Sequence, residues 1–185
     1  MQRPISIAVL LAISLSALAA ESIAVVTTRF SGVALERRNL HMFLPGEVVT
    51  VLELGEKQSR VDAQSGETIG GVWVPNEIFV YPRSFEKIKK WTGEREFEQS
   101  AGDYAAIYKI SSNGTFRAKI SNGDDPELVD YSGHLYQHKM IIWARVDGKR
   151  DGRRGTQPEG ADIFVLMPNG KLCVPVPSEV CVPAP

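Results

Sequence analysis

An all-β fold is predicted by two observations. Asn-Gly pairs recur between runs of strand-forming residues, at Asn113-Gly114, Asn122-Gly123 and Asn169-Gly170. Both residues of such a pair tolerate positive φ, which tight hairpin turns require. The runs between turn signals are also short and closely spaced, the rhythm of a sandwich or small barrel. The expected architecture is a small barrel followed by an antiparallel β-meander or second small barrel.

The elements follow in order. Residues 21–28, ESIAVVTT, form a plausible first strand, and residues 33–35 a short second one. Pro45-Gly46 opens a turn into residues 47–52, where β-branched side chains occupy both faces. Residues 60–63 form a further short strand after a charged bend. Gly70 and Gly71 permit backbone angles closed to other residues, so a tight turn or bulge is expected there. Val72, Trp73 and Val74 then make a strand that Pro75 stops.

Residues 84–103 change character. They hold Lys87, Lys89, Lys90, Glu94, Arg95, Glu96 and Glu98 with few large apolar residues. This composition predicts a charged linker between two units, with a helical turn around residues 85–91. Its lysines read as an ordinary solvated face. Beyond it, residues 104–110 and 115–120 form a hairpin across Asn113-Gly114. Residues 122–126 form a loop. Residues 133–137 and 139–146 give the next pair of strands. After a long polar loop over residues 147–160, residues 163–167 and 171–176 close the meander across Asn169-Gly170.

The first 20 residues read as a processing segment. Arg3 supplies the positive charge, residues 5–18 are almost uninterruptedly apolar, and Ala17 to Ala20 offer a cut before Glu21. The run is shorter than the ~20 residues a spanning helix needs. A retained anchor is the alternative. The expected organisation is a signal peptide at 1–20, a barrel domain at 21–83, the linker at 84–103, and a meander domain at 104–185. No stable membrane insertion is expected after signal cleavage.

The formal net charge is −1. A near-neutral chain lacks the long-range field that draws proteins onto nucleic acid, so no nucleic-acid partner is expected. Both cysteines, Cys173 and Cys181, lie near the C-terminus. An even count in an exported chain predicts a disulfide that pins the Pro-rich tail onto the last strand. The alternative is two free thiols, one of them reactive.

The order "Pro45-Gly46-Glu47-Val48-Val49-Thr50-Val51-Leu52", then "Ser59-Arg60-Val61", then "Gly71-Val72-Trp73-Val74" resembles the bacterial SH3-type domain. The likeness covers about a third of residues 21–185. Residues 35–40, LERRNL, stand where the family carries an Arg-Ser-Gly-Pro run. The resemblance implies a small barrel that binds rather than catalyses, often holding an envelope protein onto peptidoglycan or a partner. It places Trp73 by the binding groove or in the barrel core. The second unit, with Trp91-Thr92-Gly93, Tyr108 and Asn113-Gly114-Thr115-Phe116, is faintly similar in rhythm to small lipocalin-like barrels.

The search for chemistry yields little. His134 and His138 have metal-pair spacing only on a helix, where residues four apart come within ~6 Å. On a strand the same spacing separates Cα atoms by about 13 Å. A metal would also need a third ligand such as His41 or Asp130. Ser132-Gly133-His134 sets a hydroxyl and an imidazole close in sequence, but catalytic partners normally meet through the fold. There is no Gly-x-Ser-x-Gly elbow and no phosphate-cradling Gly-rich loop. Both cysteines follow every histidine, the reverse of the order in cell-wall amidopeptidases that carry SH3-type modules. No catalytic residue, cofactor or metal is expected.

Candidate ligand-binding residues are Trp73, Tyr81, Lys149, Arg150, Arg153 and Arg154. Trp73, with Phe79 and Tyr81, lines a shallow aromatic groove or, on alternation alone, is buried in the barrel; burial is favoured for Trp73. Trp91 and Trp143 are expected in a core or between the units. The four basic residues cluster in the long loop and suit carboxylate or phosphate. The solvated loop is the plainer reading. The function expected is an exported, non-enzymatic binding protein of the bacterial envelope, partnered by peptidoglycan or an envelope protein. A secreted or periplasmic inhibitor or immunity protein that blocks an enzyme is the alternative.

Overall fold

The computed structural model describes residues 23–34, 40–63, 69–101, 104–122, 125–147, 163–174 and 180–182. Over these residues the chain is all-β, with no helix as long as seven residues. The first half supplies β1 (Ile23–Val26), β2 (Phe30–Val33), β3 (Leu40–Phe43), β4 (Val48–Glu53), β5 (Gln58–Ala63), β6 (Val72–Pro75) and β7 (Phe79–Val80). The second half supplies β8 (Glu86–Lys87), β9 (Arg95–Ala101), β10 (Tyr104–Ile110), β11 (Thr115–Asn122), β12 (Asp125–His138) and β13 (Ile141–Val146). It ends with β14 (Ile163–Leu166), β15 (Leu172–Val174) and β16 (Val180–Val182).

The first half forms a five-stranded antiparallel sheet in the order β6-β5-β4-β1-β7, with β2 and β3 as a separate ribbon that leans on β6. Period-two alternation explains its core. Val49 and Val51 of β4, Val61 of β5, and Val72 and Val74 of β6 all turn to one face and are buried there with Phe43 and Phe79. Gly46 opens the turn before β4 at φ 89°, in the region where a side chain is strained.

The second half forms a larger sheet, β16-β15-β14-β13-β12-β11-β10-β9, with β8 added beside β12. It curls until β16 approaches β9. Tyr108, Ile110, Phe116, Leu135, Ile142 and Phe164 fill the concave side and are almost wholly buried. Two of the Asn-Gly turns stand where the sequence places them, and Gly123 of the third lies outside the described residues. Gly114 and Gly170 have φ of 77° and 80°, and Asn113 and Asn169 each accept a backbone N–H two residues on through their side-chain oxygen.

The two sheets pack on each other. Val25, Val48 and Val80 project from the outer face of the small sheet, and Phe85, Ile141, Ile163, Val165 and Trp143 meet them. Trp143 thus sits at the junction and Trp91 in the larger core.

Residues 84–103, expected as a charged linker, supply β8 and β9 to the larger sheet. No helical turn forms around residues 85–91. Phe85 and Trp91 are buried, and Ile88 and Trp91 anchor the segment through backbone bonds to Leu135 and Ser112. The ribbon strand β3 was not expected, and β12 begins earlier than expected because Asp125 already pairs with Asn122.

Cys173 and Cys181 are disulfide-bonded and lie directly opposite each other on β15 and β16, with Cα atoms 4.1 Å apart. The bond holds the edge strand β16 in register. Replacing both cysteines by serine should cost about 2–3 kcal/mol, the loop-closure entropy of so short a ring. Urea denaturation of the oxidised protein and the double variant measures this difference.

Candidate functional site

Trp73 is the sequence-predicted residue that the fold leaves open. Its neighbours Val72 and Val74 take the buried face, so alternation sends the indole outward. Trp73 is 39% exposed rather than buried in the core, the placement favoured from sequence. The sequence shows alternation but not which phase faces the core. The valines decide it here.

The surroundings of Trp73 come from β4 and β5. Arg60 lies directly across from it on β5. Leu52 and the next-but-one residue Leu54, which precedes Gly55, are exposed at 44% and 60%. Gly71 leaves the space that Arg60 and Leu52 occupy: a Cβ there would stand 2.9 Å from Arg60 Cγ and 3.2 Å from Leu52 Cδ1. Gly55 lies under the ring edge, where a Cβ would reach Trp73 Cζ3 at 3.9 Å. The Arg60 guanidinium pairs loosely with Glu53, at 3.6 Å between Nε and Oε2.

The turn carrying Leu54 and Gly55 is fixed from beneath. Asn76 Nδ2 donates to the carbonyls of Gly55 and Glu56, at 2.9 and 3.2 Å. The buried Ser59 hydroxyl donates to Asn76 Oδ1 at 2.7 Å. The turn is therefore held in place before any ligand arrives. An indole face, two leucines and a cation on a rigid sheet make a platform for flat or ring-shaped groups that carry carboxylates. Sequence reasoning identified Trp73 but missed Arg60, Leu52, Leu54 and the Ser59–Asn76 support.

Tyr81 does not join this platform. It is half-buried against the inner core of the small sheet, edge-on to Phe79 at 5.8 Å, with the Arg83 guanidinium 5.5 Å from its ring. It follows β7, at the other end of the strand order from β6. Lys149, Arg150, Arg153 and Arg154 lie outside the described residues, as do residues 1–20.

A second feature lies on the convex face of the larger sheet. A cleft of about 460 Å³ is bordered by Lys109, Thr115, Arg117, Ser132, His134 and Asp147. His134 Nδ1 is hydrogen-bonded to Asp147 Oδ2. That pairing orients an imidazole, but among the described hydrogen bonds no hydroxyl reaches the ring. His138 lies apart, with Nδ1 3.2 Å from the Ser84 carbonyl, and His41 is held by Glu47 at 3.4 Å. Among the described residues no three His, Cys, Asp or Glu side chains gather as a metal site.

Comparison with family models, curated proteins and solved structures gives no match.

Proposed function

We propose that the chain is an exported, non-enzymatic binding protein of the bacterial envelope, and that it recognises peptidoglycan through the surface around Trp73. The observation that carries the reading is the half-exposed indole beside Arg60 on a braced sheet face. Exposed tryptophan on a rigid element contributes large contact area at low conformational cost. Peptidoglycan offers sugar rings for the indole and carboxylates for the guanidinium. The SH3-type resemblance of residues 45–74 supports reading the first half as a binding unit. Export is supported by the apolar N-terminal run of the sequence and by the disulfide, a bond that persists in oxidising compartments. Among the described residues no helix is long and apolar enough to cross a membrane.

The test is co-sedimentation with purified sacculi. The oxidised protein should be retained. Trp73→Ala should bind about tenfold more weakly or worse, the scale of a tryptophan anchor, while its folding stability changes by no more than about 1 kcal/mol. Retention by a single envelope protein and not by sacculi would transfer the surface to a protein partner. Retention by neither would remove the proposal.

A further inference from the structure

Among the described residues, Arg95 is the one charged side chain buried in the larger sheet. It opens β9 opposite Ile110 and shares the concave face with it. It is only 7% exposed. Its guanidinium carbon lies 5.1 Å from the centroid of the Trp91 ring, itself buried. Nε and Nη1 of Arg95 are enclosed and have no acceptor, and the Trp91 indole Nε1 beside them has none either. Among the described residues no carboxylate pairs with Arg95. Its charged form is disfavoured by desolvation, which lowers its pKa from the ordinary arginine value.

Cation–π attraction offsets a small part of removing a guanidinium from water. It satisfies no N–H donor. Buried charges in native proteins are paired, and an unpaired one is a costly exception that calls for a missing counter-charge. Here three donor nitrogens on two adjacent side chains lack acceptors. We infer that Arg95 and the Trp91 indole N–H hold a small oxyanion, a carboxylate or a phosphate, at this end of the curled sheet.

A small group is inferred because the Ile110, Tyr108 and Leu135 side chains of the same core are themselves fully buried. Position follows from the segment before β9, where the Trp91 backbone N–H donates to the Ser112 carbonyl at 2.7 Å and ties the Trp91 backbone to the turn after β10. The site is independent of the Trp73 platform, which lies on the other sheet.

The test is titration of ¹⁵N-labelled protein with acetate and, separately, phosphate, replacing chloride at constant ionic strength. The indole N–H of Trp91 should shift saturably with at least one of them, while those of Trp73 and Trp143 stay still. The anion that gives the tighter response identifies the group. Thermal stability should rise with that anion by mass action. Arg95→Met should lose both responses and, in chloride alone, be no less stable than the original, since it removes an unpaired buried charge. No saturable shift of the Trp91 indole with either anion would overturn the site. So would a loss of stability in Arg95→Met that is the same with and without anion, which would assign Arg95 to packing on Trp91 alone. If Arg95→Met fails to fold, the titration of the original protein still decides the matter, with Arg95→Lys expected to weaken the anion response.

Discussion

Phe164→Ala should lower the folding stability by about 3–5 kcal/mol. Phe164 projects from β14 into the concave core and is 0% exposed. Its ring meets Tyr108 edge-on, at 5.2 Å between centroids and 84° between planes. Tyr108 is also fully buried, on β10, so the pair spans the interior from one side of the curled sheet to the other. Truncation removes the transfer energy of the ring and leaves a cavity between strands that their hydrogen bonds hold apart. Domains of this size have a net stability of about 5–15 kcal/mol, so the variant should be close to unfolding. Urea denaturation reads the change, with Ile107→Ala as the control. Ile107 lies on β10 beside Tyr108 but is 38% exposed, and its loss should cost about 1 kcal/mol or less. Equal effects at the two positions would contradict the assignment of the concave face as the core.

Gly133→Ala should cost about 2–4 kcal/mol through a different mechanism. Gly133 lies within β12, between Phe116 of β11 and Val146 of β13. A Cβ there would overlap the Arg145 carbonyl oxygen and stand 2.8 Å from its carbon and 3.0 Å from the Asp147 nitrogen. All three are backbone atoms. Relief requires β13 to move away from β12, which strains the bond from Asp147 N–H to the Ser132 carbonyl and the His134–Asp147 pair. Gly71→Ala makes the contrast. Its closest contact is the flexible Arg60 side chain, so the main cost is the positive φ of 85°. Thermal unfolding of both variants, with the His134 ring resonances followed by NMR, checks the account. The His134 environment should change in Gly133→Ala and stay as it was in Gly71→Ala.

Much of the fold was legible because its signals are local. Asn113-Gly114 and Asn169-Gly170 carry their turn conformation in their own chemistry, and β10 matches its predicted span of residues 104–110. The disulfide was legible from the even cysteine count of a chain with an export-like N-terminus. The segment 84–101 was not legible. Its charges read as a solvated linker, but in a strand such residues alternate. Arg95 turns to the core while Glu94 and Glu96 stay exposed.

The site was legible only in part. Trp73 could be named as a residue, but its exposure depends on which phase of β6 the core selects. Arg60, Leu52 and Gly71 reach its surroundings from three separate stretches of chain, joined only by strand register. The cleft beside His134 is likewise drawn from three strands, the turn after β10 and the residue that follows β13, with no local motif. Tyr81 and Trp73 are near in sequence yet fall far apart on the sheet, because β6 and β7 stand at its opposite ends.

The proposed recognition surface is tested most directly by following the three tryptophan indole resonances while solubilised peptidoglycan fragments are added to the oxidised protein. Trp73 is on the outer face of the small sheet, Trp143 at the junction of the sheets and Trp91 inside the larger one, so each reports a different place. The Trp73 indole should shift saturably, the shift should be lost in Arg60→Gln, and the Trp143 signal should stay unmoved. Fragments that bind without disturbing Trp73, or that do not bind at all, would rule out recognition at this surface.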